Sequence, residues 1–229
     1  MYLYTKRGLY HKKEGEVSGD IVRGTDNGEF AVLTLADGVS TCRYGADGAS
    51  IVSSCAMDYV YNQYSVLRSL PKEWPVYMLN LLRKRLNEAA NNDRKLYEEY
   101  SSTLMVIVID RSNGIMHYCN IGDGILLAIN DNKCPIICMP QGDKNGCPVI
   151  TTEGIEKKII SGSMDLVDVN NIMMCSDGLW KMMYNRNTLK PEMKNILLSG
   201  NYGEIEEYVK TLDNIDDCSF AFADVRRAA

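Results

Sequence analysis

Three stretches of this 229-residue chain share one pattern, an apolar run that stops abruptly at Asp-Gly. Phe30–Ala36 (FAVLTLA) carries no charge and ends in Asp37-Gly38. Ile172-Met173-Met174-Cys175-Ser176 ends in Asp177-Gly178, and the less apolar Tyr118-Cys119-Asn120-Ile121-Gly122 ends in Asp123-Gly124. Short, charge-free runs of β-compatible residues predict buried strands. A carboxylate at the last residue of such a strand stands at a sheet mouth, where sites are commonly built.

The same periodicities divide the rest of the chain. Residues 1–10 read as a short edge strand with tyrosines alternating at Tyr2 and Tyr4, and 11–20 as a polar loop. Asp26-Asn27-Gly28 reads as the turn before a strand at 29–36. Val52, Cys55, Ala56, Tyr59, Val60 and Gln63 recur at three-and-four spacing, which predicts a helix over 47–65 with Asp47 as its N-terminal cap. A second helix starts near Pro71, with Met78, Leu79, Leu82, Leu86 and Ala89 as its apolar stripe. Strands over 103–110 and 115–120 flank Arg111-Ser112-Asn113-Gly114, and Asn-Gly between apolar runs is a hairpin signal. Further strands are expected at 124–129, 134–139, 157–160, 164–169 and 172–176, with a loop over 140–156. Helical patterns at 188–198 and 203–212 precede a last strand at 218–225. Helices grouped in two places between strand runs predict an α+β fold rather than a βαβ repeat. No repeat or linker divides the chain, so 1–229 reads as one domain.

Composition narrows the function classes. The net charge is −5 and the pI about 5.2, so a dedicated nucleic-acid binder is not expected. The longest basic run, Arg83-Lys84-Arg85, reads as a solvated helix face. No apolar run is long enough to span a membrane, and the first residues lack the apolar core of a signal peptide, so the expected location is cytoplasmic. Of eight cysteines, Cys119, Cys138, Cys175 and Cys218 lie inside apolar runs and read as free buried thiols. Cys134 and Cys138 have the spacing of half a zinc site, but no second pair follows.

The acidic strand ends suggest hard-cation chemistry. Mg²⁺ and Mn²⁺ take carboxylate, carbonyl and water oxygens, so a few convergent carboxylates suffice. Asp37 offers a carboxylate able to bridge two ions, and Gly38 an unobstructed carbonyl. Asp177 is its natural partner, Asp216 and Asp217 stand just before the last strand, and Asp20 closes the early loop. Taken singly, each reads as a turn former or cap.

Taken in order, they resemble the metal-dependent protein phosphatases of type 2C, nearly end to end. FAVLTLADGVS resembles that family's apolar strand ending in Ala-Asp-Gly, and Ser102-Thr103-Leu104 its strand opening. Asn120-Ile121-Gly122-Asp123 resembles the Val-Gly-Asp segment, CSDGLW at 175–180 the Ser-Asp-Gly-Leu-Trp motif, and Asp216-Asp217-Cys218-Ser219 the Asp-Asn-Ile-Thr before the last strand. The resemblance implies a four-layer α-β-β-α sandwich of two mainly antiparallel sheets with helices on the outer faces. It implies a Mn²⁺- or Mg²⁺-dependent hydrolase of phosphoserine and phosphothreonine, acting through a metal-bridging water. Its substrate would be a phosphorylated protein, paired with a Ser/Thr kinase in signalling. By the same resemblance Asp37 bridges two ions, with the Gly38 carbonyl on the second. Asp177 and Asp216 complete the first ion, Asp20 holds the second directly or through water, and Asp123 serves a third, weaker ion. Asp213-Asn214-Ile215 has the right letters but stands too far from the strand.

The N-terminal segment departs from the family pattern. Where an arginine commonly grips phosphate, this chain has Gly8-Leu9-Tyr10-His11, closer to a bacterial branch with Gly-x-x-His. His11 is the candidate for contacting phosphate or protonating the leaving oxygen, with Arg7 and Arg43 as alternative clamps. The family's mobile flap is reduced to about 139–153. Two further readings follow from these departures: a silent domain that binds a phosphoprotein or regulatory partner, and a phosphatase of small molecules.

Overall fold

The computed structural model describes residues 1–142 and 146–225. Strand β1 (Tyr2–Lys6) leads to a short helix, α1 (Leu9–Glu14), and then to the hairpin of β2 (Asp20–Asp26) and β3 (Phe30–Asp37). Two long helices, α2 (Gly45–Leu67) and α3 (Trp74–Asp93), precede β4 (Leu104–Asp110), β5 (Ile115–Ile121), β6 (Ile125–Ile129) and β7 (Ile136–Cys138). Next come β8 (Ile160–Asp165), β9 (Asn171–Cys175), α4 (Asp177–Met183) and a two-residue hairpin, β10 (Tyr184–Asn185) with β11 (Thr188–Leu189). Helices α5 (Pro191–Ser199) and α6 (Tyr202–Thr211) and strand β12 (Cys218–Asp224) are the last elements among the described residues.

The strands form two five-stranded sheets, ordered β2-β3-β4-β5-β8 and β1-β12-β9-β6-β7. Every neighbouring pair of these strands runs antiparallel. Alternation along β3 and β4 shows why their sequences are apolar without a break. Val32, Ala36, Val106 and Val108 point to one core with Val52, Ala56, Val60, Leu79, Leu82 and Leu86 of α2 and α3. Leu33, Leu35, Ile107 and Ile109 point to another, against Leu126, Ile172, Met174 and Ala221 of the second sheet. A strand covered on both faces has no solvent side to mark with polar residues. The outer face of the second sheet, with Met173, Phe220 and Phe222, packs on Met193, Leu197, Ile205 and Val209 of α5 and α6. The layers are therefore helix, sheet, sheet, helix, as the resemblance implied. Each large side chain fully buried in these layers is worth about 1.5–3 kcal/mol relative to leaving it exposed.

Several elements differ from the sequence reading. Residues 9–14 form α1 instead of opening a loop. The helix buries no residue, so it has no apolar stripe; it is held by tertiary bonds from the N–H of Leu9 and Tyr10 to the carbonyls of Asn214 and Ile215. The strands expected at 157–160 and 164–169 are a single edge strand, β8, which among the described residues has only β5 beside it and an alternating exposure. Helix α4 and the β10–β11 hairpin were not expected, because Ser176-Asp177-Gly178 reads as a turn and seven residues carry little periodicity. Helix α2 starts at Gly45, so Asp47 lies in its first turn rather than capping it. Helix α3 starts at Trp74 with Pro75 in its first turn, later than Pro71. Its stripe closes on buried Ala90.

Candidate active site

The site lies at one mouth of the sandwich, where β3 and β9 end and β2 and β12 begin. Antiparallel register sets Asp20 directly opposite Asp37. The Asp37 backbone is clamped on both sides: its N–H donates to Thr103 Oγ1 at 2.9 Å, and its carbonyl accepts from the Thr103 N–H at 2.8 Å. Gly38 then passes so close to α2 that a Cβ would stand 2.3 Å from the Gly45 carbonyl carbon, so no other residue fits. Its N–H donates to the Gly19 carbonyl at 3.0 Å, tying the N-terminal loop to the end of β3.

Asp177 opens α4 immediately after β9. Ser176 stitches this corner to β12, since its N–H donates to the Ser219 carbonyl and its Oγ accepts from the Ser219 N–H, both at 3.0 Å. Gly178 lies under the backbone of residues 216–217; a Cβ there would meet the Asp217 carbonyl at 2.0 Å. The Trp180 indole N–H donates to the Asp123 carbonyl at 2.7 Å, fixing the β5–β6 corner against α4. The Ser-Asp-Gly-Leu-Trp motif thus assembles three segments around one point.

That point is a cavity of about 170 Å³ lined by His11, Asp37, Gly38, Asp123, Asp177, Asp216 and Asp217, with Thr103 and Cys147. Of the metal-ligand candidates read from the sequence, Asp20 alone is off the wall; it is buried, 3% exposed. Its Oδ2 has no hydrogen-bond partner among the described residues. Burial pushes the Asp20 carboxyl up to about 7, while the hydroxyls of Ser219 and Ser176 pull it down and Asp217 and Asp177 raise it again. Asp37 is raised well above the usual range, first by burial and then by Asp20, Asp177, Asp123 and Asp216. Burial and then Asp177 also raise Asp123 and Asp216. Carboxylates that oppose one another's ionisation in a partly dry cleft form a site for cations.

Asp217 behaves differently from its neighbour. Its Oδ1 accepts from the Gly8 N–H at 2.6 Å, and its Oδ2 from the Gly19 N–H at 2.6 Å and the Ser18 hydroxyl at 2.7 Å. His11 Nδ1 lies 3.0 Å from the same oxygen. Against the effect of burial, these donors hold Asp217 below the ordinary carboxylate range. It anchors the N-terminal loop and holds His11 at the cavity wall. Arg7 donates to the Glu16 carbonyl on that same loop, and Arg43 lies 5.8 Å from the Tyr44 ring; neither lines the cavity. Asn214 donates to the Gly178 carbonyl at 2.6 Å, a structural role.

Two residues at the site escaped the sequence reading. Lys181, one turn after Asp177 on α4, puts Nζ 2.5 Å from Asp177 Oδ2; recognising α4 would have revealed the spacing. Cys147 faces the carboxylates from the 139–153 segment. Burial and the charges of Asp123, Asp37 and Asp177 push its thiol up to about 12. Residues 143–145 of that expected flap lie outside the described residues. Arg83, read as part of a solvated face, instead donates to the carbonyls of Ile150 and Thr152 and holds this segment to α3.

Do these residues suit divalent ions? The oxygen-only donor set, the orphan Asp20 oxygen and the mutual repulsion of the carboxylates all fit. Among the described residues no three His, Cys, Asp or Glu side chains are already drawn into an ion cage. Lys181, the serines and the N-terminal loop share these groups instead.

Two stacked antiparallel sheets with an acidic cleft at one mouth make this an α+β protein with a candidate cation centre. Its sequence assigns it further: the family model described as protein phosphatase 2C matches residues 7–212, and the chain belongs to that family. By that membership it is a protein phosphatase. A bacterial serine phosphatase superposes with a TM-score of 0.77 at 15% identity, covering 100% of this chain and 98% of its own. The serine/threonine phosphatase Stp1 from Staphylococcus aureus gives 0.73 at 14%, covering 97% and 93%. RsbX, solved in complex with magnesium, gives 0.63 at 13%, covering 96% and 92%. Identities this low speak for the fold alone. No curated protein matches the sequence. No helix among the described residues is long and apolar enough to cross a membrane.

Proposed function

We propose that the chain, as one catalytic domain, hydrolyses phosphoserine and phosphothreonine esters of proteins with two Mn²⁺ or Mg²⁺ ions held in the acidic cleft. When bound, the ions supply Lewis acidity, lowering the pKa of a water and offsetting phosphoryl charge. Asp37, the Gly38 carbonyl, Asp177, Asp216 and Asp20 are the groups that would hold the two ions, with Asp37 the carboxylate common to both. Asp123, on the wall, is the place for a third and weaker ion. His11, 13% exposed and steadied by Asp217, donates a hydrogen bond to phosphate or a proton to the leaving oxygen. The shortened 139–153 segment, with Cys147 at the cavity wall, selects among phosphoproteins produced by a Ser/Thr kinase. Eight free thiols suit a reducing, cytoplasmic setting.

The observation that carries this reading is the meeting of Asp20, Asp37, Asp123, Asp177 and Asp216, from five separate segments, in and under one small cavity. Family membership favours an active enzyme over a silent binder. Turnover of p-nitrophenyl phosphate tests it: activity requires Mn²⁺ and collapses in Asp37→Asn and in Asp177→Asn. Metal-dependent activity that persists in both variants refutes the two-ion assignment.

A further inference from the structure

Asp177 is not free to receive an ion without losing a partner. Its Oδ2 accepts from the Lys181 ammonium at 2.5 Å, with the aspartate side chain 12% exposed and the lysine 54%. Acidic and basic residues four apart commonly pair along a solvated helix face. This pair is different, because its acid lines the cleft and two other cleft carboxylates, Asp123 and Asp216, also attract the ammonium. Among the described residues, Lys181 is the one lysine or arginine ion-paired with a cleft carboxylate.

We propose that Lys181 is a tethered cation that competes with a divalent ion for Asp177 and so raises the metal concentration at which the centre fills. The inference rests on the two-ion reading above. An ammonium and a metal ion cannot share the same lone pairs of Oδ2, so loading requires the lysine to swing away. Its half-exposed stem permits that movement. The displaced charge then remains near the incoming ion, and lost pairing and repulsion both act against binding. Asp123 and Asp216 keep the ammonium at the rim, ready to return when the metal leaves.

Calorimetric titration of chelator-stripped protein with Mn²⁺ tests this without reference to turnover. Lys181→Met is expected to bind about five- to thirtyfold more tightly than wild type, the span for removing one partly exposed cation beside a divalent site. Lys181→Arg, which keeps the charge, stays much nearer to wild type than Lys181→Met does. Asp37→Asn abolishes binding. If Lys181→Met matches wild type while Asp37→Asn abolishes binding, the ion pair is a helix-surface contact; the proposal falls and the two-ion reading stands. If Asp37→Asn binds as wild type does, or no variant binds at all, the two-ion reading fails and takes the inference with it. Binding seen only in Lys181→Met supports the proposal in its strongest form.

Discussion

Replacing Asp20 with asparagine is expected to stabilise the metal-free protein, even though it removes a residue assigned to the site. Asp20 is 3% exposed, faces Asp37 across the β2–β3 ladder, and has one oxygen with no partner among the described residues. Its carboxyl sits at about 7, against 3.8 in an unpacked chain. The direction of the linkage follows from that gap. Below about pH 4 both folded and unfolded chains hold the proton, and Asp20 costs nothing. Between about 4 and 7 the folded chain retains a proton that the unfolded one has released, so stability falls as pH rises. Above 7 the full cost is present. A gap of about three pKa units corresponds to on the order of 4 kcal/mol.

Asparagine cannot ionise and so removes this cost, but its amide satisfies Ser176 and Ser219 less well, returning about 1–2 kcal/mol. The net gain is about 2–3 kcal/mol near pH 8, or about 4–12 °C in Tm for a chain of this size. Thermal melts in excess chelator at pH 8 and near pH 4 provide the assay. The gain should be large in the first condition and vanish in the second. Saturating Mn²⁺ should close or reverse the gap, because ions stabilise only the folded wild-type centre. An Asp20→Asn protein no more stable than wild type at pH 8, or equally stabilised at both pH values, refutes the reasoning.

Two other substitutions address the supports of the site. Asp217→Asn keeps one acceptor oxygen and turns the other into an NH₂ donor, so either Gly8 or the Gly19–Ser18 pair loses its acceptor; it should cost about 1–3 kcal/mol, with faster amide exchange in residues 8–19. The wild-type contribution of this carboxylate is present above its unfolded pKa and lost as pH falls through its lowered folded value, so the difference in Tm should narrow in acid. Arg83→Ala should leave the helix-sheet core intact but raise amide exchange in residues 146–158, because two of that segment's carbonyls lose their donor. Unchanged exchange there would show that other contacts hold the segment.

Legibility in the sequence followed burial. The β3, β4, β9 and β12 segments were readable because both of their faces are covered, leaving apolar runs with clear ends. The stripes of α2 and α3 were readable because one face packs on a sheet. Elements without a long apolar stripe were not readable. Helix α1 buries nothing, and α4 buries Leu179 and Met183 but is too short, at seven residues, to show a period. Missing α4 hid Lys181, and missing α1 left His11 on a supposed loop. The site aspartates could be listed from their positions at strand ends. Their convergence could not be read from spacing alone, because it depends on β12 lying between β1 and β9.

Position by itself does not separate a carboxylate that holds the fold from one available for chemistry, as residues 216 and 217 show. The two are adjacent, precede the same strand and line the same cavity. Burial works against ionisation at both. Asp217 overcomes it because two backbone N–H groups, a serine hydroxyl and His11 converge on its oxygens, and a carboxylate so supplied has little reason to bind an ion. Asp216 is left with the repulsion of Asp177 and a partial offset from Lys181. Its charge is compensated only when another cation arrives. The same test sorts the rest of the cluster: Asp20 and Asp37 have too few donors for their burial, and both are raised. Divalent cations are the partners that would supply what the fold has withheld from these oxygens. A fall of the Asp216 pKa toward that of Asp217 on adding diamagnetic Mg²⁺, followed by carboxyl ¹³C titration, is the expected signature. If Asp216 titrates in Mg²⁺ as it does in the metal-free protein, this division of roles is wrong.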